Sequence, residues 1–220
     1  MRSARVTTEP VDDRLLRAAI DQFGRAGLEG ASTRAIAAAA GTTMSSITYH
    51  YGGKEGLYLA AARYIADQMA EQLEPTLAAQ EVTPEGDGPA AASRALLAAI
   101  DRFVDIMLSP ESAAWTRFIV REQMDPTEAF EALYGGVMER LVDHLSSLLQ
   151  RIGHRRDDAG EARLKAMAII GQALAFRVAR ATVLRATGWG DFDTEGAAAV
   201  RRIVRTNTSA ILATERAACT

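Results

Sequence analysis

The residues with the most pointed chemistry lie between Ala31 and Tyr58, in ASTRAIAAAAGTTMSSITYHYGGKEGLY. Within it, Met44 to His50 carries one large aliphatic side chain, Ile47, among Ser45, Ser46, Thr48, Tyr49 and His50. Hydroxyls, a phenol and an imidazole donate and accept hydrogen bonds at short reach. A buried helix would not be built this way, whereas a helix that must lie against another polar surface would be. No charged residue stands between Arg34 and Lys54, so nothing in that interval repels phosphate. Lys54 then opens the next helix, and an exposed helix N-terminus beside a lysine is a ready phosphate site.

Two short helices and a tight turn must position these groups. Ser32 or Thr33 caps the first, its hydroxyl accepting from unpaired backbone N–H groups. Ile36, Ala37 and Ala40 then give one apolar stripe. Gly41 follows, where a helix end prefers a left-handed residue without Cβ. Thr42 or Thr43 caps the second helix. This is the plan of a helix-turn-helix, whose second helix enters the DNA major groove N-terminus first. On that reading Thr33, Tyr49, His50 and Lys54 lie toward phosphates, Thr43, Met44, Ser45, Ser46 and Thr48 face base edges, and Arg34 joins the DNA-binding set.

The stretch TRAIAAAAGTTMSSITYHYGGKEGLY resembles the signature of the tetracycline-repressor (TetR) family of bacterial transcription regulators, over about Asp13 to Tyr64. The apolar stripe, Gly41, Ile47, the aromatics Tyr49-His50-Tyr51 and Lys54-Glu55 coincide at fixed spacing. One departure is Gly52-Gly53, in place of the polar pair usual in that turn. It either loosens the joint to the next helix or lets backbone approach DNA closely. Further on, TRFIVREQMDPTEAF resembles a branch of the family linked to cefoperazone and chloramphenicol sensitivity. The resemblance implies a homodimer formed by the last two long helices, and a ligand pocket whose occupation weakens DNA binding.

The chain has 220 residues, enough for one or two domains with a sizeable core, and a net charge of −3. Residues 1–55 hold 7 of the 25 basic and 6 of the 28 acidic residues, a local excess of +1 in an acidic protein. Positive potential must therefore be local to the recognition face, and the acidic remainder reads as solubility. The one cysteine, Cys219, allows neither an intrachain disulfide nor a cysteine metal cluster. The start, MRSARVTTEPVDD, has no apolar core after its arginines and is not a signal peptide. The most apolar run, Ala166 to Phe176, falls short of a membrane span, so the expected setting is cytoplasmic, with no membrane partner.

Every periodic stretch has the helical period, which predicts an all-α protein of about nine helices. Residues 1–10 form an arm in which Arg2 and Arg5 either touch DNA or belong to a frayed terminus, the better-supported reading. Residues 11–58 make the helix-turn-helix domain, with helix four continuing to about 78. Residues 59–220 make a helical body for ligand binding and dimerisation. Glu81 to Pro89, rich in glycine and proline, is a linker. A helix to about Leu108 follows, then one capped by Ser109-Pro110 and ending near Met124. Asp125-Pro126-Thr127-Glu128 starts another, with Asp125 as cap, running to Ile152. His154 to Gly160 is a charged loop. Helices eight and nine span about 161–186 and 194–215.

The last two helices carry small and β-branched stripes suited to close packing, with Ile170, Ala173, Val200, Ile203, Asn207 and Ile211 as candidate dimer contacts. The alternative is that both stripes bury inside their own subunit. Phe103, Met107, Trp115, Phe118, Phe130 and Phe176 are the candidate pocket residues for a small apolar effector, with ordinary core as the alternative for each. Arg117, Arg121, Gln123, His144 and Arg177 are either ligand-orienting or surface groups. The scattered histidines and the lack of nucleophile, phosphate-loop or metal motifs exclude an enzyme, and no cofactor or metal is expected. The expected function is a DNA-binding regulator, a repressor released from a palindromic operator by the effector. The alternative is an effector-independent or architectural DNA-binding protein.

Overall fold

The structure is a computed structural model that describes residues 11–78, 88–153 and 159–217. The arm with Arg2 and Arg5, most of the Glu81–Pro89 linker, the start of the loop at His154 and Cys219 lie outside the described residues. Those described form α1 (Val11–Gly30), α2 (Thr33–Ala40), α3 (Met44–Tyr51), α4 (Lys54–Ala78), α5 (Pro89–Leu108), α6 (Ser112–Met124) and α7 (Glu128–Leu133). A π segment (Tyr134–Met138), α8 (Glu139–Ile152), α9 (Ala159–Val178), α10 (Arg180–Thr187) and α11 (Thr194–Ala217) complete them. The fold is all-α as expected, with no strand among the described residues.

The chain forms two compact units. The first holds the described residues of Met1–Ala66 together with Ala114–Leu133, so α6 and α7 group with α1, α2, α3 and the start of α4. In α1, Asp12 and Asp13 occupy the first turn, where carboxylates complement the helix dipole. Its buried face is Leu15, Ala19, Ile20 and Phe23. Gly27 kinks this helix at φ 72°, a conformation that favours glycine, and one further turn follows to Gly30. Asp125 does not cap α7, because its N–H still donates to Arg121 O at 3.0 Å as part of the last turn of α6. Thr127 takes the cap, its Oγ1 accepting from Ala129 N at 3.1 Å.

In the second unit α5 is central, packed against α8, α9 and α11. Its core face includes Leu96, Ile100, Phe103, Val104 and Met107, all buried. On α11, Val200, Val204, Thr208 and Leu212 recur every four residues and are buried. Asp101 and Asp105 of α5 pair with Arg205 and Arg201 of α11. Half-exposed pairs of this kind contribute little stability, but they fix the register of the two helices. Burial pushes the Asp101 carboxyl up, against the pull of Arg205.

Two expected helices are divided. The single helix expected from residue 125 to Ile152 is interrupted at Tyr134–Met138, where Gly135-Gly136 weakens the α-helical preference and a wider π turn is tolerated. Helix eight, expected unbroken over 161–186, bends by 73° between α9 and α10. Neither glycine nor proline stands at the break, Ala179. Just beyond the break, Arg180 donates to Asp191 Oδ1 at 2.5 Å and lies 6.0 Å from the Phe192 ring centroid. Among the described residues no single helix is long and apolar enough to cross a membrane.

Candidate nucleic-acid interface

The turn between α2 and α3 is built from local hydrogen bonds. Ser32, rather than Thr33, is the cap of α2, its Oγ accepting from Ala35 N at 3.3 Å. Thr33 is the first helical residue. Gly41 stands at φ 67°, ψ 35° and its N–H closes the helix onto Ala38 O at 3.2 Å. Arg14 of α1 donates to Ala40 O at 3.3 Å and so covers another terminal carbonyl. Thr43 caps α3, accepting from Ser46 N at 3.4 Å. Ser46 Oγ is in turn 3.0 Å from Thr42 Oγ1 and 3.2 Å from Thr43 Oγ1.

That cluster sorts the residues expected to face DNA. Ile47, 2% exposed, is the buried residue of α3 and fastens it to the unit. The opposite face is open, with Met44 47% and Tyr49 85% exposed. Thr43, Ser45, Thr48 and His50 are exposed beside them, as is Arg34 on α2. Thr48 donates to Met44 O at 3.4 Å, leaving its lone pairs outward. Ser46 differs, being half-buried with its hydroxyl tied to the turn. Of the aromatic triplet, Tyr49 projects outward with His50 edge-on at 5.0 Å. Tyr51 is half-buried, and burial together with its hydrogen bond to Asp12 pushes its phenol pKa up.

The joint to α4 is tight. Gly52 and Gly53 hold φ of 74° and 131°, and the Gly52 N–H closes α3 onto Thr48 O at 3.0 Å. Two successive positive φ values explain the glycine pair by backbone conformation. Just beyond, a Cβ on Gly56 would stand 1.7 Å from Tyr51 O, so the first turn of α4 rests directly on the end of α3. Lys54, half-buried, donates to Glu29 O at 2.8 Å. One of its three ammonium donors is thus used, and two remain for an anion.

The other expected site residues fall as follows. Phe103 and Met107 of α5 and Phe176 of α9 belong to the second unit, the first two buried and Phe176 half-buried. Trp115, Phe118 and Phe130 belong to the first. Phe118 is committed there, stacked on Tyr58 at 4.6 Å. Ile170, Ala173 and Val200 are buried within their own chain, Ile211 is half-buried, and Ile203 and Asn207 are exposed. Arg117 pairs with Asp21 at 2.8 Å, Arg121 donates to Arg25 O at 3.4 Å and Gln123 is exposed. In the second unit Arg177 is buried and donates to Ser109 O at 3.4 Å, and burial lowers the His144 pKa.

A capped α2, a left-handed turn and an α3 with one buried anchor and an open polar face define a helix-turn-helix DNA-binding protein. The chain belongs to the tetR family of bacterial regulatory proteins: residues 15–61 match that family, and residues 92–214 match the family described as HTH-type transcriptional dual regulator CecR, C-terminal domain. It is 36% identical over 209 residues to the HTH-type transcriptional dual regulator CecR of Shigella flexneri, covering 93% of this chain and 92% of that one. Over 83 residues it is 39% identical to the HTH-type regulatory protein RaaS of Mycobacterium tuberculosis, 38% of this chain and 37% of that protein. Its fold resembles that of a transcriptional regulator from Pseudomonas aeruginosa, with a TM-score of 0.69 at 19% identity over 99% of both chains. AibR, solved with isovaleryl coenzyme A and operator DNA, gives 0.66 at 17% identity over 89% of this chain and 96% of its own. The protein is a transcription regulator and not an enzyme.

Sequence reasoning missed Arg14, Gly56, Tyr58 and Glu122. Glu122 left a signal, a charge on the stripe that begins with Trp115 and Phe118 and is spaced three and four apart. Gly56 left none, since only the chain path brings it onto Tyr51. Gly56→Ala should lower stability by about 1–3 kcal/mol, the range for forced overpacking, because the clash is with backbone. Urea unfolding checks this, and an unchanged midpoint would show that α4 does not rest on α3 as described.

Proposed function

We propose that the protein is a homodimeric regulator that binds a palindromic operator through α3 and is released by a small apolar effector. The observation that carries the first part is the open face of α3 on a unit closed by Ile47, with Lys54 beside it. Thr43, Met44, Ser45 and Thr48 face base edges, while Arg34, Tyr49, His50 and Lys54 contact phosphates. Thr33, one residue past the cap, lies with the phosphate set. Ser46 acts indirectly, by holding the turn. Lys54→Ala should weaken binding to all sequences alike and reduce the salt slope by about one unit, since one phosphate contact is lost. A filter-binding titration over salt with cognate and scrambled duplexes checks this, and an unaltered slope would remove Lys54 from the phosphate set.

A second copy of the chain fits the exposed apolar stripe of α9, Leu164, Met167 and Val178, with Gly171 unobstructed between them. On α11 the exposed Ile203 and Asn207 continue the same role. Ile170, Ala173 and Val200 support this face from within their own core. Ile211 flanks it. Two-fold pairing suits an operator whose half-sites lie one DNA turn apart. Met167→Glu and Ile203→Glu should each give monomers by light scattering at micromolar concentration, because a charge would be buried unpaired at the contact. A wild-type chain that is itself monomeric at that concentration would end this part of the proposal.

Support for an effector comes from fold neighbours. AibR was solved with isovaleryl coenzyme A and operator DNA, and FadR of Bacillus subtilis, with a TM-score of 0.60, with stearoyl-CoA. Phe103, Met107 and Phe176 are the residues of the second unit assigned to the effector's apolar part. The curated relative in Shigella flexneri is a dual regulator, so activation at some operators accompanies repression in this reading. Binding of operator and effector must oppose one another by the same factor, typically about 5–150-fold. Titrating acyl compounds with and without operator tests gating. Equal affinity in both would favour the effector-independent alternative.

A further inference from the structure

Tyr58 lies one helical turn beyond Lys54 and is 4% exposed. Its ring meets Phe23 of α1 edge-on at 4.9 Å and stacks on Phe118 of α6 at 4.6 Å. Its hydroxyl donates to Glu122 Oε1 of α6 at 2.5 Å. Glu122 is 1% exposed, and its Oε2 accepts from Thr127 N at 3.0 Å and Thr127 Oγ1 at 2.9 Å. All three donors are neutral. The carboxyl therefore links α4 through one oxygen and closes the turn between α6 and α7 through the other.

Such a group is a poor choice for stability alone. Replacing buried charge by well-packed apolar groups is often neutral or stabilising, and what buried polar groups supply in several systems is a defined geometry. Ring contacts against Phe23 and Phe118 hold Tyr58 in its layer but tolerate sliding, whereas a short hydrogen bond to a fixed oxygen is directional. Any change at Tyr58 reaches the recognition helix over a short path. Gly56 rests on Tyr51 O, so the first turn of α4 cannot move sideways without carrying the end of α3 with it.

We propose that Glu122 is a positioning residue for operator recognition: by holding the Tyr58 hydroxyl it sets the angle of the first turns of α4, and through Gly56 the pose of α3. The inference rests on the proposed operator binding by α3. Glu122 itself touches no DNA. It acts on the fit of α3 to base edges, not on the phosphate contacts that sequence-independent binding needs.

Two substitutions separate positioning from simple support, because each deletes one hydrogen bond to the same carboxyl. Tyr58→Phe removes the bond to α4 and keeps the ring contacts. Thr127→Val removes the Oγ1 bond to Glu122 together with the cap on Ala129 N, both within the turn between α6 and α7, and leaves α4 held. Duplexes selected by the wild-type protein from a random pool, and scrambled versions of them, serve as probes. Tyr58→Phe should lower affinity for the selected duplex by about tenfold, the worth of one hydrogen bond to a charged group. Its affinity for the scrambled duplex and its salt slope should be unchanged. Thr127→Val should lower the urea midpoint and leave the ratio of selected to scrambled affinity at the wild-type value. The same loss of discrimination in both variants, or in neither, overturns the proposal. A wild-type protein that selects no duplex defeats the reading of α3 itself and the inference with it, an outcome distinct from selection that survives in Tyr58→Phe.

Discussion

Ile47 is the side chain on which the recognition surface depends. A helix of eight residues is too short to persist on its own in water, and α3 has a single buried residue with which to hold its place. Everything around it compensates for that minimal anchor. The hydroxyls of Thr42, Thr43 and Ser46 close its start, the Gly52 N–H closes its end, and Gly56 brings α4 down onto Tyr51. The scarcity of apolar residues in α3 is the condition for an outward face that can read another molecule. The cost is that its position is dictated by neighbours.

Those neighbours include a segment distant in sequence. Ala114–Leu133 packs with the described residues up to Ala66, and its ties are polar as well as apolar. Arg117 pairs with Asp21, while Glu122 accepts from Tyr58 across a sequence separation of 64. The unit that carries the helix-turn-helix is thus completed by α6 and α7 rather than by the N-terminal helices alone. The second unit is organised differently, around an apolar α5 with the Asp101 and Asp105 pairs setting the register of α11. There the stripes on α9 and α11 divide into an inward row that makes the core and an outward row that is exposed.

Much was legible before any coordinates, and for a common reason: it depends on neighbours within a turn or two. Gly41 marks a helix end because a left-handed residue is needed there. The sparse apolar content of Met44–His50 announced a helix meant for a polar surface. The all-α class followed from periodicity alone. Where expectations needed adjusting, specific hydrogen bonds that residue type does not announce decided. Asp125 is a good cap by type, yet its N–H stays in the last turn of α6, and Thr127, held by Glu122, takes the role. Neither glycine nor proline at Ala179 announces the bend, and Arg180 just beyond it pairs with Asp191 and lies near the Phe192 ring.

The sequence by itself determined the helix-turn-helix and the family, since these rest on residue type at fixed short spacing. Only the tertiary structure decided which hydroxyls are spent inside the turn, as at Ser46, and which remain outward, as at Ser45 and Thr48. It also decided that Ile170 and Ala173 face inward while Leu164 and Met167 face out. A period of 3.6 gives each helix its stripes, but which stripe is covered depends on where the neighbouring helices lie. The same holds for Glu122: a carboxyl on an apolar stripe acquires a role only when folding places a phenol 64 residues away within hydrogen-bond reach.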